Sequence, residues 1–303
     1  MHAILQHRWV RRCMILAGLG VMAAASLYAT RLSWGPGMII PCPDPQYTAG
    51  PLPTGVSRAV DIERDGVRVR SWVLEPPGPP RGTVMLLHGI RSNKERHLPA
   101  ARDYAARGFR TIAVDSRGHG ESSGRYLTYG VEESEDLRAL ADALARESLL
   151  AEPLVVVGSS YGAATAIQYA ALDSRVDLTI ALASFASLEE VVPAYVEWIL
   201  GPLAVLVPDG VVVDVLAESA RVAEFDPADA CPRCAAARLT APLRLVHSED
   251  DERIPLAHAR AIAAAAPDAE LVVLHGASHG ETGGASGVRT AVDRWLAEVT
   301  GGP

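Results

Sequence analysis

Short apolar runs alternate with amphipathic stretches over most of the chain, from about residue 58 to its end. Two segments with alternating apolar and polar positions flank Asp65 and Gly66, a pair typical of a tight turn, and predict a β-hairpin. Continuous apolar runs predict buried strands at 83–87, 109–114, 154–157, 176–182, 243–247 and 270–274. Helical spacing predicts helices at 95–107, 132–147, 161–172, 256–266 and 288–299. This alternation predicts an α/β fold with a mostly parallel central sheet flanked by helices.

One connection is much longer than the others. Between the strand ending near Ala183 and the strand beginning at Leu243, about 58 residues intervene, far more than one helical connection needs. The segments 188–200 and 203–215 are apolar and carry little charge. We expect a helical cap insertion at about 186–240, which either covers an acyl pocket or only packs on the sheet.

The N-terminal segment has the pattern of a targeting signal. Basic residues lie at positions 8–12, and a run of about 17 mostly apolar residues follows at 13–29. Residues 1–31 are therefore predicted to be a signal anchor, or a signal peptide cleaved after Ala25, and residues 32–57 a Pro/Gly-rich linker. The domain would occupy 58–303. Because the basic residues precede the apolar run, the domain is predicted to lie on the extracytoplasmic side of a membrane. It would be anchored there, or it would be secreted or periplasmic after cleavage.

Composition narrows the possible partners. The chain has 28 basic and 36 acidic residues and no long basic run, which argues against nucleic acid binding. Four cysteines in 303 residues are too few for a disulfide framework, and one CxxC pair cannot complete a zinc site. Cys231 and Cys234 form either a local disulfide or two ordinary helical side chains, and we favour the second. No metal and no organic cofactor is expected.

The strongest motif is Gly158-Ser159-Ser160-Tyr161-Gly162, which lies directly after a predicted strand and before a predicted helix. A G-x-S-x-G in that position forces the central serine into a tight, exposed turn at the carboxyl edge of the sheet. The N-terminus of the helix behind it favours developing negative charge. We therefore expect Ser160 to be a nucleophile. Ser159 is the neighbouring alternative, but it lacks the spacing to the two glycines.

A serine hydroxyl needs a base to take its proton. His279 follows the last predicted strand in a loop, which is a suitable position for that base. His275 is its rival, although a packed or surface role suits it better. His258 lies on a helix and His247 in a strand, so we expect structural roles for both.

The base in turn needs a carboxylate to fix its tautomer. Asp251 stands four residues before Pro255, at the end of a predicted strand, and Asp250 is its alternative. We favour Asp251 on this spacing. Serine, aspartate and histidine then follow one another in the chain in the order known from one type of hydrolase.

Taken together, the motifs resemble the α/β-hydrolase superfamily over about residues 58–299, and most closely its esterase and serine aminopeptidase-like members. The motifs are His88-Gly89, Asp115-x-Arg117-Gly118-His119-Gly120-x-Ser122, Gly158-x-Ser160-x-Gly162, Asp251-x-x-Ile254-Pro255 and Ser278-His279-Gly280. One departure is Ser248, where such proteins usually have glycine. The resemblance therefore does not determine the conformation of the turn that carries Asp250 and Asp251, or which of the two is the triad acid.

The resemblance implies a serine hydrolase with the triad Ser160, Asp251 and His279. It also implies that the backbone N–H groups of Ile90 and Tyr161 form the oxyanion hole. The expected reaction is cleavage of a carboxylic ester through an acyl-enzyme, with a small-molecule ester or acyl compound as substrate. A peptidase or thioesterase would use the same triad, and a membrane-anchored binding module without activity could share the fold. In this family the Asp115–Ser122 loop is mainly structural.

Overall fold

The structure is a computed structural model that describes residues 35–40 and 50–301. Its described strands form one eight-stranded sheet in the order β1-β2-β4-β3-β5-β6-β7-β8. The strands are β1 Arg58–Arg64, β2 Val67–Leu74, β3 Thr83–Leu87, β4 Arg110–Val114, β5 Leu154–Ser159, β6 Val176–Leu182, β7 Leu243–Ser248 and β8 Ala269–Leu274. β1 and β2 form the hairpin around Asp65 and Gly66, and β2 pairs antiparallel with β4. All pairings from β4 to β8 are parallel, which confirms the predicted fold class.

Helices cover both faces of the sheet. They are α1 Leu98–Ala106, α2 Val131–Arg146, α3 Tyr161–Leu172, α4 Leu188–Leu200, α5 Asp209–Ala223, α6 Pro232–Ala236, α7 Leu256–Ala265 and α8 Val288–Thr300. α2, α3 and α7 pack on one face in a core cluster that includes Val156, whereas α1 and α8 pack on the other face with Val155. Neighbouring residues of β5 thus point to opposite cores, as the twofold period of a strand requires.

The segment between β6 and β7 folds as α4, a 3₁₀ helix over Gly201–Leu206, α5 and α6. The apolar segment 203–215 is divided between the 3₁₀ helix and α5. Pro208 has an extended backbone immediately before α5, and the helix runs from Asp209 to Ala223. A proline has no N–H to donate within a helix and fixes its own φ, so it separates the 3₁₀ turn from the helix that follows.

The preferred interpretation of the CxxC pair is also wrong, because Cys231 and Cys234 form a disulfide. Cys231 is the residue that caps α6, and its Sγ accepts the backbone N–H of Cys234 at 3.2 Å. The start of the helix turns the chain so that the two Cα atoms lie 5.2 Å apart, well within the range that a disulfide can bridge.

The predicted linker is described only in part. Residues 36–39 form a single helical turn, Pro36–Ile39. The predicted signal or anchor at 1–31 lies outside the described residues. In the part of the chain that the structure describes, none of the helices has both the length and the apolar character needed to cross a bilayer.

Candidate active site

Ser160 occupies the turn between β5 and α3 with a left-handed φ of 54°. A non-glycine residue is strained in this region, and such strain is often found at functional sites. The turn is tight on both sides. A Cβ on Gly158 would lie 2.1 Å from the carbonyl oxygen of Gly162, and one on Gly162 would lie 2.4 Å from the oxygen of Leu87. Both glycines are therefore required for the chain to turn where Ser160 projects.

The parallel sheet brings three predicted site residues to one edge. Ser160 follows β5, Asp251 follows β7 and His279 follows β8. The His279 Nε2 atom lies 3.0 Å from Ser160 Oγ, and His279 Nδ1 lies 2.7 Å from Asp251 Oδ2. The three side chains form a continuous chain of hydrogen bonds, although they are separated by up to 119 positions in sequence.

Asp251 is held in its ionised form. Its other oxygen, Oδ1, accepts the backbone N–H groups of Arg253 and Ile254, each at 2.9 Å. Burial alone would raise the pKa of this carboxyl, but the hydrogen bonds from His279 and from these N–H groups outweigh burial and lower the pKa. An ionised Asp251 accepts a hydrogen bond from the N–H at His279 Nδ1, so Nε2 carries no proton and can accept the hydrogen bond of the Ser160 hydroxyl.

Asp250 and His275, the alternatives to Asp251 and His279, have other partners. Asp250 Oδ2 accepts the backbone N–H of Gly276 at 2.6 Å. The His275 side chain is 75% exposed and lies 2.5 Å from Glu249. Ser248 fits at the position where a glycine was expected, because its hydroxyl accepts the N–H of Asp250. The structure therefore joins Asp251, rather than Asp250, to His279.

A second histidine lies beside the same carboxylate. His247 is buried, donates from Nε2 to the carbonyl oxygen of Ile254 at 2.7 Å, and lies 3.5 Å from Asp251 Oδ2. Burial lowers the pKa of His247, so the ring stays neutral near pH 7. Sequence reasoning placed His247 in a strand but missed this contact. The sequence signal for this contact is the four-residue spacing between His247 and Asp251 across the end of β7.

The loop after β3 lies against the nucleophile turn. A Cβ on Gly89 would be 3.6 Å from Ser160 Cβ, and the following residue, Ile90, lines the same pocket as Ser160. Tyr161 is the first residue of α3, where N–H groups have no intrahelical acceptor. The N–H groups of Ile90 and Tyr161 thus belong to the two segments that adjoin Ser160.

Two buried histidines fix this loop. His88 Nε2 accepts the N–H of Ser116 at 3.1 Å, so its Nδ1 carries the proton and donates to Gly89 at 2.8 Å. Burial lowers the pKa of His88 well below its ordinary value and keeps the ring neutral. His119 Nε2 accepts the N–H of Arg91 at 3.2 Å. These rings hold both ends of the His88–Arg91 segment.

Asp115 binds residues that follow the same loop. The carboxylate is fully buried, and it accepts the N–H groups of Lys94 and Glu121 together with the Lys94 ammonium at 2.5 Å. Lys94 also lies over the ring of Trp72 and pairs with Glu121. These contacts give the Asp115–Ser122 loop a structural part in the site.

An apolar pocket of about 330 Å³ opens over Ser160. Its walls include Phe185 after β6, Tyr195 and Trp198 from α4, and Ile39 from the helical turn. Burial raises the pKa of the Tyr195 hydroxyl, and this side chain lines the same pocket as Ser160. Sequence reasoning expected α4 near the pocket but did not single out Tyr195.

The insertion exposes several large apolar side chains, of which Trp198 and Ile199 also line the pocket; the set is Trp198, Ile199, Leu200, Leu203, Val205, Leu206 and Val213. Exposed apolar side chains are typical of interaction sites where they form a contiguous patch. Among the described residues, no group of three or more His, Cys, Asp or Glu side chains is arranged to hold a metal ion. The side chains around Ser160 are instead arranged for nucleophilic attack and proton transfer.

The family model described as serine aminopeptidase, S33, matches residues 78–230 of the chain. A monoacylglycerol lipase of Mycolicibacterium smegmatis is 30% identical over 245 residues, which are 71% of this chain and 86% of the lipase. An uncharacterized protein of Bacillus subtilis is 27% identical over 196 residues, which are 63% of this chain and 62% of that protein.

Solved structures share the fold at low identity. The esterase Pf2001 of Pyrococcus furiosus superposes with a TM-score of 0.62 at 22% identity, over 86% of this chain and 97% of the esterase. Est1E of Butyrivibrio proteoclasticus, with ferulic acid bound, gives a TM-score of 0.60 at 19% identity, over 80% of this chain and 99% of Est1E.

Proposed function

We propose that this chain, which belongs to the serine aminopeptidase S33 family of α/β-hydrolases and is a hydrolase, cleaves carboxylic esters through an acyl-enzyme on Ser160. The observation that carries the proposal is the hydrogen-bonded chain from Ser160 through His279 to Asp251 beneath an apolar pocket.

The reaction begins when Ser160 Oγ attacks the ester carbonyl while His279 Nε2 takes the hydroxyl proton. Asp251 stabilises the imidazolium that forms, and the N–H groups of Ile90 and Tyr161 hold the oxyanion. The tetrahedral intermediate then expels the alcohol, which receives the proton from His279. Water attacks the acyl-enzyme with His279 again as base, and the acid leaves Ser160 with its proton restored.

The character of the pocket supports an ester of an apolar acid. Most of its lining residues are aliphatic or aromatic, and a volume of about 330 Å³ is at the lower end of the range of small-molecule sites, about 300–1,000 Å³. The lipase from M. smegmatis and the esterase from P. furiosus are named for ester cleavage. A strongly polar acyl group would lose its hydration against these apolar walls, and the charged side chains in the lining are Arg91 and Arg253.

We also propose that the domain lies outside the cytoplasm, held at a membrane by residues 1–31 or released after their cleavage. The disulfide between Cys231 and Cys234 supports this location, because disulfides persist mainly in oxidising compartments. Protease treatment of intact cells and of cell fractions tests the location. Recovery of the domain in the cytoplasmic fraction, resistant to protease until the inner membrane is broken, would contradict it.

The bond type is tested with three substrates that share one acyl group, namely a chromogenic ester, an anilide and a thioester. We expect kcat/KM for the ester to exceed that for the anilide by more than about 100-fold, because the amide has the poorer leaving group. Ser160→Ala should abolish turnover and Ser159→Ala should retain it. Preference for the anilide would indicate a peptidase, and preference for the thioester a thioesterase. No turnover of any of them by the folded protein would favour a binding module.

A further inference from the structure

The helical turn Pro36–Ile39 precedes the hydrolase domain in sequence but packs against its active site. Ile39 is 9% exposed and Ile40 is 1% exposed, although both belong to the predicted linker. The turn contacts α5, and both isoleucines join the apolar cluster that contains Tyr161 and Leu188. A linker that only connected two parts of the chain would not need to bury two adjacent isoleucines.

A hydrogen bond anchors this turn to the catalytic side of the cluster. The Tyr129 hydroxyl donates to the carbonyl oxygen of Ile39. The Tyr129 ring lies edge-on to Tyr161, with centroids 5.9 Å apart, and Tyr161 directly follows Ser160. The turn is therefore joined through one side chain to the residue next to the proposed nucleophile.

The same turn lines the pocket over Ser160. Met38 and Ile39 contribute to the wall that is shared with Tyr129, Val192 and Ile199. Ile39 is buried within this wall, whereas Met38 is 64% exposed and lies toward solvent. Residues that precede the domain thus line the pocket together with Val192 and Ile199 of α4.

We propose that Met38 and Ile39 are specificity-determining residues that limit the length of the acyl chain the pocket accepts. This inference rests on the proposed esterase function. Ile39 forms the inner limit and Met38 the outer rim, so the favoured substrates are esters of short to medium-length apolar acids.

The test measures kcat/KM in the full chain for a series of p-nitrophenyl esters with acyl chains of 4 to about 12 carbons. Ile39→Ala removes the inner limit, so the ratio of kcat/KM for long over short chains should rise by about 10-fold or more, as expected when several methylenes gain an apolar site. Ile39→Phe should lower the ratio. Met38→Ala should raise it by only about 2-fold, because this side chain is largely exposed.

Ile62→Ala is the matched control. Ile62 is also 9% exposed, but it lies in β1 and belongs to a core cluster away from the pocket. It should lower the melting temperature without changing the chain-length ratio. Tyr129→Phe keeps the ring and removes only the anchoring hydroxyl, and it should shift the ratio in the same direction as Ile39→Ala. Ile39→Val removes one methyl group and serves if Ile39→Ala does not fold.

The outcomes separate the two proposals. If the wild-type protein is folded and hydrolyses no ester of the series, the proposed function is wrong and this inference falls with it. If the wild type is active and neither Ile39→Ala nor Ile39→Val changes the ratio more than Ile62→Ala does, the esterase stands and the inference is overturned. A raised ratio in Ile39→Ala together with a lowered ratio in Ile39→Phe supports it.

Discussion

His279 Nδ1 lies 2.7 Å from Asp251 Oδ2, whereas the adjacent Asp250 binds the backbone N–H of Gly276. Two neighbouring aspartates thus have different partners, one on the histidine beside Ser160 and one on the loop backbone. The turn after β7 makes this distinction, because it directs Asp251 inward to the N–H groups of Arg253 and Ile254.

The first prediction concerns these two aspartates. Asp251→Asn removes the charge that fixes the tautomer of His279 and stabilises its protonated form, so kcat for a chromogenic ester should fall about 10³- to 10⁴-fold. Asp250→Asn makes the same chemical change one residue earlier and should lower kcat less than about 10-fold. Equal losses in the two variants would contradict the assignment of Asp251.

The second prediction concerns the turn that carries Ser160. Gly158→Ala places a Cβ 2.1 Å from the oxygen of Gly162, so the turn must open and Ser160 must move. We expect a loss of about 1–3 kcal/mol in the free energy of unfolding together with loss of ester turnover. Gly78→Ala is the control, since a Cβ there meets nothing within 4 Å. An active Gly158→Ala variant of normal stability would show that the turn tolerates a side chain.

The third prediction concerns the buried Lys94. Lys94→Met keeps most of the side-chain volume but leaves the fully buried Asp115 without its ammonium partner. Removing one partner of a buried ion pair costs about 3–5 kcal/mol, which urea unfolding would detect. Arg289→Met breaks the exposed pair with Asp103 and should change stability far less. Similar midpoints for Lys94→Met and the wild type would argue against a structural part for this pair.

The fourth prediction concerns stability in acid. Burial lowers the pKa of His97 from 6.5 to about 4, and burial also lowers the pKa of His88. Between these values the unfolded chain binds protons that the folded chain does not, so the free energy of unfolding should fall as pH drops from about 6.5 toward 4. Each such histidine contributes up to about 1.4 kcal/mol per pH unit. His97→Gln should flatten this slope, measured by urea unfolding at several pH values, and an unchanged slope would contradict the assignment.

The sequence was sufficient to predict the sheet and the placement of Ser160, because both depend on local patterns. Apolar runs of strand length mark β3 and β5, and the two glycines around Ser160 mark the turn. The roles of His279 and Asp251 could be predicted from their order and spacing in the sequence alone. Their meeting at one edge depends on the parallel sheet, which the alternation of strands and helices predicted.

Contacts between segments far apart in sequence were not predictable in this way. The hydrogen bond between Ile39 and Tyr129 joins the predicted linker to the loop before α2. No periodicity in either segment indicates this contact. The disulfide of Cys231 and Cys234 depends on where α6 begins, and two residues at CxxC spacing do not settle that. The presence of Tyr195 in the pocket beside Ser160 likewise depends on how α4 lies over the sheet.

The most direct test of the central claim is to treat the full chain with a fluorophosphonate probe and to locate the adduct by mass spectrometry of its peptides. We expect one adduct, on Ser160, which is absent in Ser160→Ala, retained in Ser159→Ala and formed far more slowly in His279→Ala. An adduct on Ser159, or no adduct on the folded wild-type protein, would contradict the assignment of Ser160 as the nucleophile.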